Sequence, residues 1–292
     1  MRTGGILRRY SILVAVAISF VTCTENVKAL AAESATPSQN ERNYFPQMKG
    51  CFLLYNMRKN TFDKVIGEGY CRERFVACST FKIPLAVMAF DSGVLKDEDQ
   101  TLKWDGKKGF LESHNQDHNA RTWMRDSVVW FSRRLTLQIG VKKIESYLHA
   151  FHYGNEDFSG GLMDAWLVSP GDKGPALKVS AYEQVDFMKK LWRDQLPVSK
   201  RAMKITREIS FLETSPQGFK LSGKTGSNYY GHDYDQEKRV GLGWFISHLE
   251  KGDQEYIVVA RFSDQIPVDA KKYGGLRAKQ IVKDILSDQG LW

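Results

Sequence analysis

Ser79-Thr80-Phe81-Lys82-Ile83-Pro84-Leu85-Ala86-Val87-Met88-Ala89-Phe90 is the stretch from which the rest of the chain can be read. Apolar residues fill nearly every position from Phe81 to Phe90. No polar face is left for solvent, so the segment reads as a helix buried on all sides. Pro84 fixes where it begins. Proline is tolerated only in a helix's first turn, so the helix opens close to Ser79. Ser79 and Lys82, three residues apart, then share one face. A serine hydroxyl is a weak nucleophile unless a base takes its proton. A lysine can be that base where burial disfavours its charged form, and Phe81, Ile83 and Leu85 supply the apolar setting. The helix N-terminus would aim amide hydrogens at developing negative charge.

Working outward, residues 51–55 read as a strand, Arg58-Lys59-Asn60 as a turn and residues 61–66 as the returning strand. Residues 122–138 form a helical pattern ended by Gly140, and residues 141–151 form a second. Ser180 with Glu183 is a capping box that opens a helix carrying Val185, Met188, Leu191 and Trp192. Strands return at 219–225, 240–247 and 255–262, with Lys251-Gly252-Asp253 turning between the last two. A helix over 276–286 closes the chain. Strands at both ends and helices between them predict an α+β fold, not an alternating parallel one. The two ends meet in one antiparallel sheet, and the middle forms a helical subdomain. The expected organisation is one catalytic domain over 32–292. Its sheet part covers about 32–95 and 210–292, and its helical part about 96–209.

The first 31 residues have a different character. Arg2, Arg8 and Arg9 precede an apolar run over 12–21 that is short for a membrane span, followed by Ala29-Leu30-Ala31. That order predicts a secretory signal peptide over 1–31, and hence a periplasmic protein with no stable membrane association. The segment holds four basic side chains against Glu25. Its removal takes three from a net charge of +8 and leaves +5. A modest positive balance suits a small anionic substrate. No basic cluster interleaved with aromatics points to nucleic acid. The mature chain keeps Cys51, Cys71 and Cys78. Cys51 and Cys71 flank the first hairpin and are the best disulfide pair, while Cys78 reads as a buried free thiol. No CxxC pair exists to hold zinc. His114 and His118 are spaced for a helical metal site, but polar neighbours make the segment a solvated loop, so no metal is expected.

Two further elements carry chemistry. Lys224-Thr225-Gly226 closes a predicted strand. Lys224 can attract a carboxylate or assist proton transfer, Thr225 can donate a hydrogen bond, and Gly226 admits a ligand close to the backbone. Ser127-Val128-Val129 lies mid-chain on a predicted helix, and its serine could relay a proton to a leaving nitrogen. A Ser-x-x-Lys, a mid-chain serine and a late Lys-Thr-Gly, in that order, match the signature of β-lactamases and penicillin-binding proteins. The chain resembles the class D, oxacillinase-type β-lactamases from about Gly50 to its C-terminus. Ser79-Thr80-Phe81-Lys82, Ser127-Val128-Val129, Tyr153-Gly154-Asn155, Asp164-Ala165-Trp166-Leu167, Lys224-Thr225-Gly226 and Gly275-Leu276-Arg277 carry the resemblance.

The resemblance implies roles. Ser79 would be acylated. Lys82 would be N6-carboxylated by carbon dioxide or bicarbonate, with no other cofactor, and would act as general base with the Trp166 indole N–H as its donor. Ser127 would shuttle a proton to the lactam nitrogen. Backbone amides of Ser79 and Ser227 would form the oxyanion hole. Lys224, Thr225 and Arg277 would hold the substrate carboxylate, with Gly226 beside them and Arg261 as a rival ligand. Val129 and Leu167 would be apolar walls, and Tyr153 and Asn155 would belong to the substrate site. The expected activity is hydrolysis of penicillin-type antibiotics, conferring resistance. A D,D-peptidase and a non-hydrolytic β-lactam sensor domain are the alternatives. The substrate spectrum and oligomeric state stay open.

Overall fold

The computed structural model describes residues 42–109, 111–168, 174–229, 238–269 and 271–292. The expected signal peptide and its cleavage site lie outside them. Asn43–Trp292 forms one compact unit. Strand β1 (Met48–Asn56) and strand β2 (Thr61–Ile66) form the first hairpin, followed by the short helix α1 (Glu68–Arg72). A two-residue strand β3 (Phe75–Val76) leads into a 3₁₀ turn, Cys78–Phe81, and then helix α2 (Lys82–Asp91). Every residue of α2 from Lys82 to Phe90 is buried, as its all-round apolar pattern requires.

Residues 122–138, expected as one helix, are two: α3 (Ala120–Asp126) and α4 (Val129–Ile139). The break falls at Ser127, whose backbone is left-handed at φ 60° and ψ 36°. Helix periodicity does not register such a break, because the apolar face resumes in phase on the far side. Helix α5 (Val141–Phe151) follows across Gly140. Strand β4 (Lys178–Val179) pairs with β3, and helix α6 (Ala181–Trp192) opens with the Ser180–Glu183 capping box. Helix α7 (Lys200–Ile209) is capped by Ser199 and escaped the sequence reading because it is rich in charge. Its buried face of Ala202, Met203, Ile205, Thr206 and Ile209 shows only at helical spacing.

The last third returns to strands: β5 (Phe211–Thr214), β6 (Lys220–Tyr229), β7 (Lys238–Arg239), β8 (Gly241–Lys251), β9 (Gln254–Asp264) and β10 (Val268–Asp269). Helix α8 (Gly274–Asp288) ends the chain. The main sheet has the order β2-β1-β9-β8-β6-β5, with antiparallel pairing throughout. Leu53 of β1 sits opposite Val259 of β9, so the two ends of the chain join in mid-sheet. Both faces are covered. Leu53, Trp244, Ile246, Ile257 and Val259 pack towards the helical side. Phe52, Leu54, Phe245, Val258 and Phe262 pack towards α8. That double burial explains why β8 and β9 read as continuous apolar runs. Cys51 and Cys71 form a disulfide, and Cys78 is a buried free thiol.

Candidate active site

The 3₁₀ turn that carries Ser79 is held by the backbone on both sides. The Ala77 amide donates to the Leu177 carbonyl (3.1 Å) and the Cys78 amide to the Trp166 carbonyl (2.9 Å). Cys78 adopts φ 53°, a conformation costly for a residue with a Cβ and kept only where the surroundings impose it. Below the turn, Gln184 Nε2 donates to Thr80 Oγ1 (2.9 Å), and the Tyr153 hydroxyl donates to Gln184 Oε1 (3.3 Å). Ser79 itself is half-buried and faces a cavity of about 990 Å³.

Lys82 Nζ donates to Ser79 Oγ at 3.2 Å. Only 1% of Lys82 is exposed. Burial holds its ammonium well below the usual lysine value, and the nearby charge of Lys224 lowers it further. Lys224 is also buried, which brings it down to about 7, with Lys279 adding repulsion. Lys224 Nζ donates to the Thr225 carbonyl (3.1 Å) and to Thr225 Oγ1 (3.3 Å). Two lysines whose charged forms are disfavoured by burial thus lie at one site. Cys78 is pushed up to about 12 by burial, so it stays a neutral thiol and offers them no counter-charge.

Strand β6 reaches the nucleophile turn because Gly226 has no side chain. A Cβ there would lie 3.1 Å from Cys78 Cβ and 3.2 Å from both Thr80 Cγ2 and Trp244 Cβ. Gly275 serves α8 in the same way, since a Cβ would meet Thr225 Cβ at 2.8 Å. Its amide donates to Ser227 Oγ (2.8 Å), which places Ser227 on the cavity wall. Ser127 enters the same cavity from the α3–α4 break. A ring nitrogen of His114 lies 2.9 Å from the Asp126 carbonyl, so that nitrogen carries the proton and steadies the residue before Ser127. Ser79, Ser127, Thr225 and Ser227 therefore converge on one cavity, with Lys82 and Lys224 buried behind them.

The sequence agrees with that arrangement. Residues 24–287 match the penicillin-binding protein transpeptidase domain. The chain is 34% identical over 254 residues to β-lactamase OXA-1 of Escherichia coli, covering 85% of this chain and 88% of that protein. A delta mutant of the class D β-lactamase BAT-2 superposes with a TM-score of 0.73 at 32% identity, covering 88% of this chain and 99% of that one. The chain belongs to the class D serine β-lactamases. Another solved relative of this class D enzyme is the C-terminal domain of the Bacillus licheniformis BlaR penicillin receptor. Its TM-score is 0.75 at 28% identity, over 85% of this chain and 94% of that one.

Not every expected residue of this class D chain reaches the cavity. Ser79, Ser127, Val129, Thr225 and Ser227 line it. Lys82, Lys224, Gly226 and Trp166 are buried and do not line it. The Trp166 ring stacks on Phe158 and packs against Phe81, next to the turn it also binds through its carbonyl. Five of the expected residues stand in other surroundings than expected. Arg277 is bound by both oxygens of Asp264 (2.8 and 2.6 Å) and lies over the Phe262 ring, so its fork is occupied. The rival Arg261 is fully buried among Tyr70, Phe75 and Trp244, with no access to a substrate. Tyr153 is buried against Phe81 and Phe187 and supports the turn from beneath. Asn155 bonds the Ala176 carbonyl (2.9 Å) and the Lys178 amide (2.8 Å), a purely structural bridge. Leu167 also stays off the cavity wall, and Asn228 Nδ2 donates to its carbonyl (3.1 Å).

His114 and His118 are buried rather than solvated. His118 bonds Thr122 Oγ1 and the Ser113 carbonyl, both at 3.0 Å. Among the described residues, no group of three or more His, Cys, Asp or Glu side chains is placed to hold a metal ion. Met163, Tyr229, Tyr273 and Leu276 line the cavity and were not assigned to the substrate site from sequence. Leu276 could have been found, because it follows Gly275 in the same short motif and is exposed at a helix start.

Proposed function

We propose that this protein hydrolyses the β-lactam ring through an acyl-enzyme on Ser79, with an N6-carboxylated Lys82 as general base. The observation that carries the reading is a fully buried lysine, 3.2 Å from the serine oxygen and held below its ordinary ionisation range. A neutral amine reacts with carbon dioxide and an ammonium does not, so this environment suits the modification. The carbamate supplies an anionic base at the serine. Ser79 Oγ attacks the lactam carbonyl as its proton passes to that base, and the Ser79 and Ser227 amides receive the carbonyl oxygen's charge. The C–N bond breaks as Ser127 gives its proton to the ring nitrogen and is reprotonated by the base, which is thereby free to act again. Deacylation follows when the base takes a proton from water, that water attacks the ester, the bond from the acyl carbon to Ser79 Oγ breaks and the base returns the proton to Ser79. Lys224 and Thr225 hold the substrate carboxylate, and the Trp166 indole supports the carbamate.

The likeness to the BlaR receptor domain favours one other reading, a sensor that acylates and stays acylated. Turnover decides between them. The mature protein should open a chromogenic cephalosporin for many cycles, faster with bicarbonate present. A single burst of one equivalent would refute hydrolysis and support the sensor. Carbon-13 NMR with labelled bicarbonate should show an adduct that Lys82→Ala abolishes. We also infer export with removal of residues 1–31, organisation as one catalytic domain, and a role in antibiotic resistance. Amino-terminal sequencing of periplasmic protein and the penicillin tolerance of an expressing strain test the first and last of these.

A further inference from the structure

The cavity extends well beyond the reacting groups. Ser79, Ser127, Thr225 and Ser227 occupy one end. From there the cavity runs along α4, where Val129, Trp130, Arg133, Arg134 and Leu137 all line it. Val129 to Leu137 is two turns, about 12 Å of helix. Lys107, Lys108, Gly109 and Leu111 also line the cavity, and the Arg134 guanidinium of α4 reaches the carbonyl of Lys103 in the same segment. Trp130, Met163 and Leu137 give this arm an apolar surface, and Leu137 and Met163 are exposed by 55% and 43%. Large exposed apolar side chains beside a cavity mark a place that binds an apolar group.

The charge in the arm is one-sided. Asp126 is paired with Arg125 (2.7 Å), and Arg133 is paired with Asp164. Arg134 donates to the neutral Lys103 carbonyl (2.7 Å) and lies 5.3 Å over the Trp130 ring, so its charge is oriented but not cancelled. Lys107 and Lys108 are exposed and make no ion pair among the described residues. Asp105 is the acid facing them, and its Oδ1 accepts from the Lys107 amide (3.0 Å). Three cations thus stand against one carboxylate.

We propose that this arm receives the acyl side chain of the β-lactam and selects side chains that are apolar along their length and end in a carboxylate. The inference rests on the reading that Ser79 is acylated by a β-lactam. The apolar stem would lie on Trp130, Met163 and Leu137, and the terminal anion would meet Lys107, Lys108 and Arg134. The test compares 6-aminopenicillanic acid acylated with a suberoyl group and with an octanoyl group of the same length. At low salt, kcat/KM for the suberoyl compound should exceed that for the octanoyl compound by about fivefold, the scale of a partly exposed charge pair. The ratio should shrink in strong salt, which screens exposed charges. It should also fall towards unity in the Lys107→Gln/Lys108→Gln double variant. A ratio of one or less in the unaltered protein, or a ratio indifferent to both salt and the double variant, overturns the proposal. If neither compound turns over, hydrolysis is refuted. Relative acylation rates of Ser79 by mass spectrometry then still decide on the arm.

Discussion

The two ends of the cavity are built by opposite means. At the inner end, Ser79 sits on a buried turn, Lys82 and Lys224 are removed from water, and Gly226 lets a strand come within van der Waals contact. At the outer end, Lys107 and Lys108 are exposed, and Arg125 and Arg133 are paired on the surface. Burial at the inner end changes what a side chain is, lowering Lys82 well below its ordinary value and Lys224 to about 7. Exposure at the outer end leaves the charges in water, where they are screened and individually weak. On the proposed reading, one cavity separates chemistry from selection. Chemistry needs dry, rigid surroundings, and selection needs charges that a substrate can reach.

This contrast predicts unequal responses to substitution. Lys82→Met keeps the apolar bulk and removes the base, and should slow deacylation about 10³-fold, read by rapid-quench mass spectrometry. A loss of only a few-fold would mean that burial at the inner end is not serving proton transfer. Removing the disulfide with Cys51→Ala and Cys71→Ala should cost about 3 kcal/mol of unfolding free energy, with kcat almost unchanged. A large fall in kcat would show that the sheet edge and the cavity are coupled. Lys224 loses its charge as pH rises through about 7, so kcat/KM for an anionic substrate should decline above that pH by about tenfold per unit. Lys224→Arg should move that decline to much higher pH, and an unmoved limb would reassign it. The smallest effect is expected at His114. His114→Leu removes the bond to the Asp126 carbonyl, a contribution of about 1 kcal/mol, and should lower kcat about fivefold while leaving KM alone. A rise in KM with kcat intact would place His114 in substrate binding instead.

How much was legible depended on how local each feature is. Helix α2, the Ser180 cap of α6, the hairpin turn at Gly252 and the strands β6, β8 and β9 all follow from short-range pattern, and each lies within a few residues of its expected place. The spacing of Ser79 and Lys82 likewise needs only a helical turn. Ser127 was found as a residue but placed wrongly within a helix, because a single left-handed residue leaves no mark on periodicity. The surroundings of Arg277 were not legible for a different reason. A motif names the residue, but it does not say that Asp264, on a strand that ends at its side, will take both arms of the guanidinium. Tyr153 and Asn155 show the same limit: both lie near the turn, one beneath it and one on a bridge to β4.

The sequence by itself determined that strands at both ends flank a helical middle, the buried helix that follows Ser79, and the three-residue spacing of Ser79 and Lys82. These depend on composition and spacing within one or two turns. Only the tertiary structure decided which side chains share the cavity, that Lys82 and Lys224 are both stripped of water, and that the cavity continues along α4 past Lys107, Lys108 and Arg134. Those properties arise from contacts between residues far apart in the chain. Desolvation and charge pairing depend on what lies opposite a group in space, and no local pattern encodes that.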